Sequence, residues 1–338
     1  MAKATVLVAV VGGLLGAALA HGPHDRDVHL KVSSVSRAGH LPEGVTAKFV
    51  NYTIDGELYE GYMAYPTEAT GPIPGMLIVH QWYGLGETEY FRAEEAALMG
   101  YYAFAADVYG FGMRATNNAE AGELSGGAFA DPTRLLTIAE GGLAQLVDGA
   151  ASIEGPAINT SALVSTGYCF GGAVLQLMAT AGTSLFGMAL FHTTFIDLSS
   201  GWMAPDLKIQ IHHAQFDFAG DAALMTLQAA LGAGNVTDWA STYYGNLFHG
   251  FTDPLNEAYD ANAAQQAHAS MFAFFDTYLE VSSAPTCADS SSWHKNNDPS
   301  KDCAWVGEFE DFVARRCTVK GEERILAMDA CPVTCGTC

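Results

Sequence analysis

Short apolar runs alternate with longer stretches of helical periodicity from about residue 45 to residue 279. Two β-rich runs, 45–54 and 58–66, flank Asp55-Gly56, a dipeptide suited to the tight turn of a hairpin. Compact apolar runs follow at 76–80, 102–108, 162–167, 187–191, 207–211 and 239–244, and each reads as a strand buried on both faces. Between them, apolar residues recur at helical spacing over 87–99, 132–151, 170–181, 219–231 and 257–279. Strands alternating with helices predict an α/β fold: a mostly parallel sheet covered by helices on both faces, with an antiparallel hairpin at one edge.

Outside this stretch the pattern changes twice. Lys3 precedes an almost wholly apolar run over 4–19, and Ala18-Leu19-Ala20 closes it with the small-x-small signature of signal peptidase. The run is shorter than the ~20 residues needed to span a bilayer, and it meets polar sequence at His21. Residues 1–20 are therefore expected to be a signal peptide, 21–42 a polar leader and 43–281 the α/β domain. Ser282-Ser283-Ala284-Pro285-Thr286 reads as a linker, leaving 287–338 as a small second domain. Six of the seven cysteines fall there, an even and closely spaced set that reads as a disulfide framework with 15 pairings open. After a signal peptide a zinc module is disfavoured, because the secretory route is oxidising. The expected location is secreted, or the lumen of the secretory pathway, where sequons at Asn51, Asn159 and Asn235 are candidate glycosylation sites.

The 338 residues carry 15 Lys and Arg against 37 Asp and Glu, a net charge of −22. That balance opposes nucleic acid and anionic membrane as partners, and no second run is long enough to span a bilayer. It also repels anionic small molecules at long range, so an acidic substrate would need local positive charge.

The seventh cysteine stands alone in Gly167-Tyr168-Cys169-Phe170-Gly171-Gly172, immediately after an apolar strand. A nucleophile on a strand-turn-helix elbow needs this arrangement: the turn pushes the side chain outward, the glycines let the helix approach the strand, and the helix amino end favours a thiolate. The competing reading is a buried structural cysteine packed among glycines. A base and an orienting acid should follow. The strand at 207–211 leads to Asp217 and the last strand leads to His249, so both groups lie just beyond strand ends. Asp217 would fix the His249 tautomer and leave the other ring nitrogen for the proton of Cys169. Asp221 is the rival acid, although its place suits the first turn of the next helix. His80, His192, His212 and His213 also fall near strand ends; the adjacent His212 and His213 are the one short pair, and in extended chain their side chains point to opposite faces, so the four are expected to line the pocket or bond loop backbone, with no metal.

These residues resemble the dienelactone hydrolase family of α/β-hydrolases, over about 45–278. The resemblance rests on the Gly-Tyr-Cys-Phe-Gly-Gly elbow, the Asp217 segment, Phe248-His249-Gly250-Phe251 and His80-Gln81-Trp82-Tyr83-Gly84. It implies an α/β-hydrolase fold without metal or organic cofactor and a Cys169, Asp217, His249 triad acting on a small-molecule lactone or ester. It further implies an oxyanion hole from the N–H groups of Trp82 and Phe170, with Gln81 and Tyr83 beside the histidines in the pocket. Two positions depart from the family pattern: Gln81 stands where many members have a glutamate, and Asp253 where the archetypal enzymes place an arginine for a substrate carboxylate. Asp253, with the overall charge, points to neutral lactones or esters, whereas the neutral Gln81 changes the starting state of the Cys169 thiol and leaves either a more ordinary triad or a weaker enzyme.

The tail resembles the ShK toxin-like domain, on Asp302-Cys303-Ala304-Trp305 and the closing Cys331-x3-Cys335-Gly336-x-Cys338. That resemblance implies the pairs Cys287–Cys338, Cys303–Cys331 and Cys317–Cys335, and a domain too short to be stable without such cross-links. Attached to a hydrolase, it is expected to dock the enzyme to a surface or protein partner, or to protect the carboxyl end. The expectation for the whole chain is a secreted cysteine hydrolase. The alternatives are an α/β-hydrolase scaffold of little activity that binds through its pocket or tail, and a tail that is itself the active ligand.

Overall fold

Val45–Ile54 (β1) and Glu57–Pro66 (β2) form the expected hairpin, in antiparallel register about a turn in which Asp55 and Gly56 both take positive φ. The structure, a computed structural model, describes residues 41–152, 155–198 and 201–279. The signal peptide, the leader up to residue 40, the linker and the cysteine-rich domain expected from the sequence lie outside the described residues.

After the hairpin come Ile73–Val79 (β3), Glu87–Leu98 (α1), Tyr102–Ala106 (β4), Asn118–Ala130 (α2) and Pro132–Ser152 (α3). Ile158–Tyr168 (β5), Phe170–Ala181 (α4), Gly187–Phe191 (β6), Lys208–Phe216 (β7), Gly220–Ala233 (α5), Trp239–Phe248 (β8) and Ala261–Tyr278 (α6) complete the order. The strands make one eight-stranded sheet in the order β1-β2-β4-β3-β5-β6-β7-β8. β1, β2 and β4 pair antiparallel, and every pairing from β4 through β3 to β8 is parallel. β4 and β6 are buried at every position, which requires cover on both faces. This is the α/β-hydrolase-like architecture predicted.

β3 and β5 begin earlier than the sequence reading placed them and β8 runs on to Phe248; three further differences have a visible cause. β7 continues through His212, His213, Ala214 and Gln215 rather than ending at 211, because the polar groups beyond Ile211 find partners within the sheet. His212, for example, takes a hydrogen bond from the Tyr244 hydroxyl on β8 (2.9 Å) and gives one to Gln210 Oε1 (3.1 Å). The last helix starts at Ala261 rather than 257, since Asp260 accepts the Ala263 N–H and serves as its cap. α2 was not predicted at all. It carries three glycines and buries only Ala121, so it has no apolar stripe to signal it.

The α4 helix follows β5 with one residue between them, and its first turn passes within backbone contact of β3. A Cβ on Gly171 would lie 2.2 Å from the Val79 carbonyl oxygen. Because that neighbour is main chain of a central strand, it cannot yield cheaply. Gly171→Ala is expected to lower stability by about 3 kcal/mol in urea denaturation; a change below about 1 kcal/mol would show that α4 can lift from the sheet.

Candidate active site

Cys169 occupies the single residue between β5 and α4, with φ 52° and ψ −116°. Such a backbone costs on the order of 1–3 kcal/mol and persists only where neighbours hold it. Here the Cys169 N–H donates to the Phe191 carbonyl (3.1 Å), and its own carbonyl accepts from Thr194 N (3.1 Å) and Gly172 N (3.2 Å). The residue is buried and carries no disulfide, and it opens on a cavity of about 550 Å³. Trp82, Phe129, Phe170, Phe195, Ile196 and Phe218 are the large apolar members of its wall, and Asp197 and His249 its acidic and basic ones.

Asp217 and His249 extend from the ends of adjacent parallel strands, β7 and β8, where Phe216 pairs with Phe248. The Asp217 side chain is fully buried. Its Oδ2 accepts the Nδ1–H of His249 (2.9 Å) and its Oδ1 accepts the Ala219 N–H (3.0 Å), so both oxygens are committed. With one proton on Nδ1, Nε2 carries the lone pair when the ring is neutral and the second proton when it is charged. Nε2 is shielded from solvent and makes no well-formed hydrogen bond. Burial pushes the His249 pKa down, but the Asp217 bond and the neighbouring Cys169 sulfur outweigh it and raise the pKa to about 9. Asp221, the rival acid, sits exposed in the first turn of α5 and accepts the Tyr243 hydroxyl (3.0 Å); it is not the partner of His249.

The Trp82 and Phe170 residues both line the cavity, and among the described residues neither backbone N–H has an acceptor. The Phe170 N–H is one of the unsatisfied donors of a helix start. The Tyr109 hydroxyl holds the Trp82 carbonyl (3.0 Å), and Glu89 accepts the N–H of Gln81 (3.3 Å) and of Gly86 (2.9 Å), so the Trp82 loop is tied at several points. Burial lifts the Glu89 pKa to about 7 against these bonds.

The five residues expected to line the pocket are not among those around Cys169. His80 is wholly buried; its Nδ1–H donates to the Gln81 carbonyl (2.6 Å), its Nε2 accepts from Val108 N (3.1 Å), and burial lowers its pKa to about 3. His192 shares a hydrogen bond with the Thr252 hydroxyl (2.8 Å), and burial, then the neighbouring His249, hold it neutral. His213 is buried beside Phe195 and Tyr243, 3.6 Å from Asp221. His213 lies within β7 and follows the pleat inward, whereas His80 and His192 lie one residue beyond β3 and β6 and are held buried by their hydrogen bonds. Gln81 and Tyr83 line a different, acidic cavity of about 670 Å³, which shares Trp82 and Asn256 with the first.

In that second cavity the two departures from the family pattern meet. Gln81 Nε2 donates to Asp253 Oδ2 (2.9 Å), while Asp253 Oδ1 accepts the Thr88 hydroxyl (2.8 Å). Arg92, buried in α1, adds a bond from its guanidinium to the Thr252 carbonyl (2.6 Å). The loop after β3 and the loop after β8 are thus joined through polar bonds that periodicity could not reveal, although the odd polar residues at 81 and 253 marked the place. Of the sequons, Asn51 and Asn235 are exposed, whereas the Asn159 carboxamide accepts the Ser161 N–H (3.1 Å). Among the described residues no acid, thiol and imidazole cluster fits a metal ion.

The profile of the dienelactone hydrolase family matches residues 59–279. An Escherichia coli (strain K12) protein named "Putative carboxymethylenebutenolidase" is 23% identical over 248 residues, which are 70% of this chain and 89% of that protein. A dienelactone hydrolase-like promiscuous phosphotriesterase from metagenomic libraries is 25% identical with a TM-score of 0.61, covering 69% of this chain and 98% of its own. The structure called m3DLH is 24% identical with a TM-score of 0.62 over the same shares, a likeness of fold.

Two outcomes follow from this geometry. A His249 pKa raised to about 9 from an ordinary 6.5 stabilises the folded state fully below pH 6.5, and that contribution is lost as pH rises through about 9. NMR titration of the His249 ring should show its midpoint near 9, and Asp217→Asn should move it down; a midpoint at or below 6.5 in the unaltered protein would show that burial dominates. Secondly, Gln81→Ala and Asp253→Ala should be non-additive by about 1–2 kcal/mol in a denaturation double-mutant cycle, as expected for a hydrogen bond to a carboxylate.

Proposed function

The chain belongs to the dienelactone hydrolase family, and from that premise we propose that it hydrolyses uncharged lactones and carboxylic esters, with Cys169 as nucleophile, His249 as proton carrier and Asp217 as its orienting acid. The observation that carries this reading is the placement of His249: Asp217 holds its Nδ1, the Cys169 sulfur is near enough to raise the ring's pKa, and Cys169 and His249 line the same cavity.

In the proposed cycle His249 takes the thiol proton and the sulfur adds to the substrate carbonyl. The N–H groups of Trp82 and Phe170 receive the developing oxyanion; one such donor is typically worth on the order of 3 kcal/mol. Collapse breaks the acyl C–O bond, the alkoxide leaves with the proton from the imidazolium, and a thioester remains. Water, relieved of a proton by His249, then displaces the sulfur and releases the carboxylic acid. A thiolate expels poor leaving groups slowly, so lactones and activated esters outrank amides. The cavity wall supports an uncharged substrate, since no lysine or arginine is among its lining residues and Asp197 would repel a carboxylate. We extend the proposal to a secreted, disulfide-stapled protein; the exposed Asn51 and Asn235 suit glycosylation there.

The test is hydrolysis of neutral lactones and phenyl acetate by the full chain with its disulfides formed. Cys169→Ala and His249→Ala should each reduce kcat/KM by roughly 10³-fold or more. Absence of turnover in protein whose Cys169 still reacts with a thiol reagent would favour the binding-scaffold reading.

A further inference from the structure

The α2 helix poses a question of composition that its backbone does not answer. Gly122, Gly126 and Gly127 lie within its thirteen residues, and none has positive φ. A Cβ built on any of them would meet nothing within 4 Å. Each glycine in a helix interior costs about 1 kcal/mol relative to alanine, so neither conformation nor close packing accounts for them. The helix is also held lightly: Ala121 is its only buried residue, and its start is fixed by the Asn117 side chain on Glu120 N (3.0 Å) and by Glu120 on Thr116.

What the glycines do provide is space on two sides. Gly122, Ser125, Gly126 and Phe129 follow at i, i+3, i+4 and i+7, which is one helix face, and all four line the cavity of Cys169 and His249. Gly127 belongs to the opposite flank and lines a separate cavity of about 300 Å³ with Leu124 and Ala128. Across the Cys169 cavity from α2 stand Phe195, Ile196 and Phe218, the last resting on the His249 ring at 4.3 Å between centroids. A volume of about 550 Å³ with such walls is of the size that encloses a ligand of drug dimensions, well beyond a single small lactone ring.

We propose that this face of α2 is the specificity surface of the site: it receives the larger apolar arm of an uncharged ester, and Gly122 and Gly126 set how wide that arm can be. The inference rests on the hydrolytic reading of Cys169 and goes beyond it by naming the substrate class, an ester with an extended or bulky hydrocarbon group. Its recognition is by apolar contact between the helix face and the facing aromatic rings.

Gly122→Leu and Gly126→Leu test it, with Gly127→Leu as control. All three substitutions place the same good helix former in the same helix, so none should weaken folding through backbone propensity. Initial rates would be measured for phenyl acetate, phenyl octanoate and octyl acetate, which lengthen the acyl and the alcohol side separately. In the unaltered chain, at least one of the long esters should have the higher kcat/KM. Gly126→Leu, and Gly122→Leu in the same direction, should lower the ratio of kcat/KM for that ester to that for phenyl acetate by about tenfold or more. Gly127→Leu should leave both rates unchanged. Equal ratios in all four proteins, or a loss as large in Gly127→Leu, would overturn the specificity surface while leaving hydrolysis intact. Inactivity of the unaltered chain on every ester would overturn the hydrolytic reading, and this inference with it.

Discussion

The first turn of α4 runs so close over the ends of β3 and β6 that side chains do not fit between them. A Cβ on Gly171 would lie 2.2 Å from the Val79 carbonyl oxygen, and one on Gly172 would lie 2.3 Å from the Thr193 hydroxyl. With strand and helix this near, the chain must turn within one residue, and Cys169 takes the resulting φ of 52°. The strain is held by bonds to β6 and to the loop after it, through Phe191 and Thr194. From this crossing follow the other features of the site. The sulfur stands at the amino end of a helix, beside N–H groups the helix cannot satisfy, and the parallel order β5-β6-β7-β8 carries the ends of β7 and β8 to the same rim of the sheet.

Burial and partnership decide the state of every imidazole near that rim. His80, His192 and His212 lie in surroundings that expel charge, and each is held neutral with a pKa pushed far down. The His249 ring lies 5.1 Å from that of His192 and is itself largely enclosed, yet its pKa rises. The difference is Asp217, a buried carboxylate whose second oxygen is already taken by Ala219 N and which therefore cannot turn away, together with the neighbouring Cys169 sulfur. One imidazole with a raised pKa among neutral ones is a consequence of where a carboxylate and a thiol sit.

Much of this was legible before any coordinates. The apolar runs marked the central strands, because a strand buried on both faces, as β4 and β6 are, must be apolar throughout, and the glycines about Cys169 marked the elbow for the steric reason now seen. Asp217 and His249 were legible from their positions beyond strand ends. His213 was misplaced because a position along a strand does not tell which face it presents: it continues β7 inward, whereas Asp217, four residues on, has left the strand; His80, one residue past β3, bonds loop backbone, as the competing expectation had it. The α2 helix was illegible for a different reason. Periodicity detects what a helix buries, and this one buries Ala121 alone and turns its remaining small residues toward open cavities; its readable signal was the cap, Asn117 with Glu120 three residues later.

Charge gives the site a direction as well as a preference. Gln81 and Asp253 satisfy each other across the two loops as amide and carboxylate, so neither offers a positive group to a ligand, and Asp197 is the acidic member of the cavity wall. An uncharged ester crosses this field without penalty. On the hydrolytic reading its product is a carboxylic acid, which at neutral pH leaves the cavity as an anion near Asp197 and on a chain of net charge −22. Long-range repulsion then acts on product and not on substrate, and it acts outward. On that reading the acidity of the chain, which weighs against nucleic acid and against anionic substrates, would favour turnover of neutral esters by hastening the step in which the acid departs.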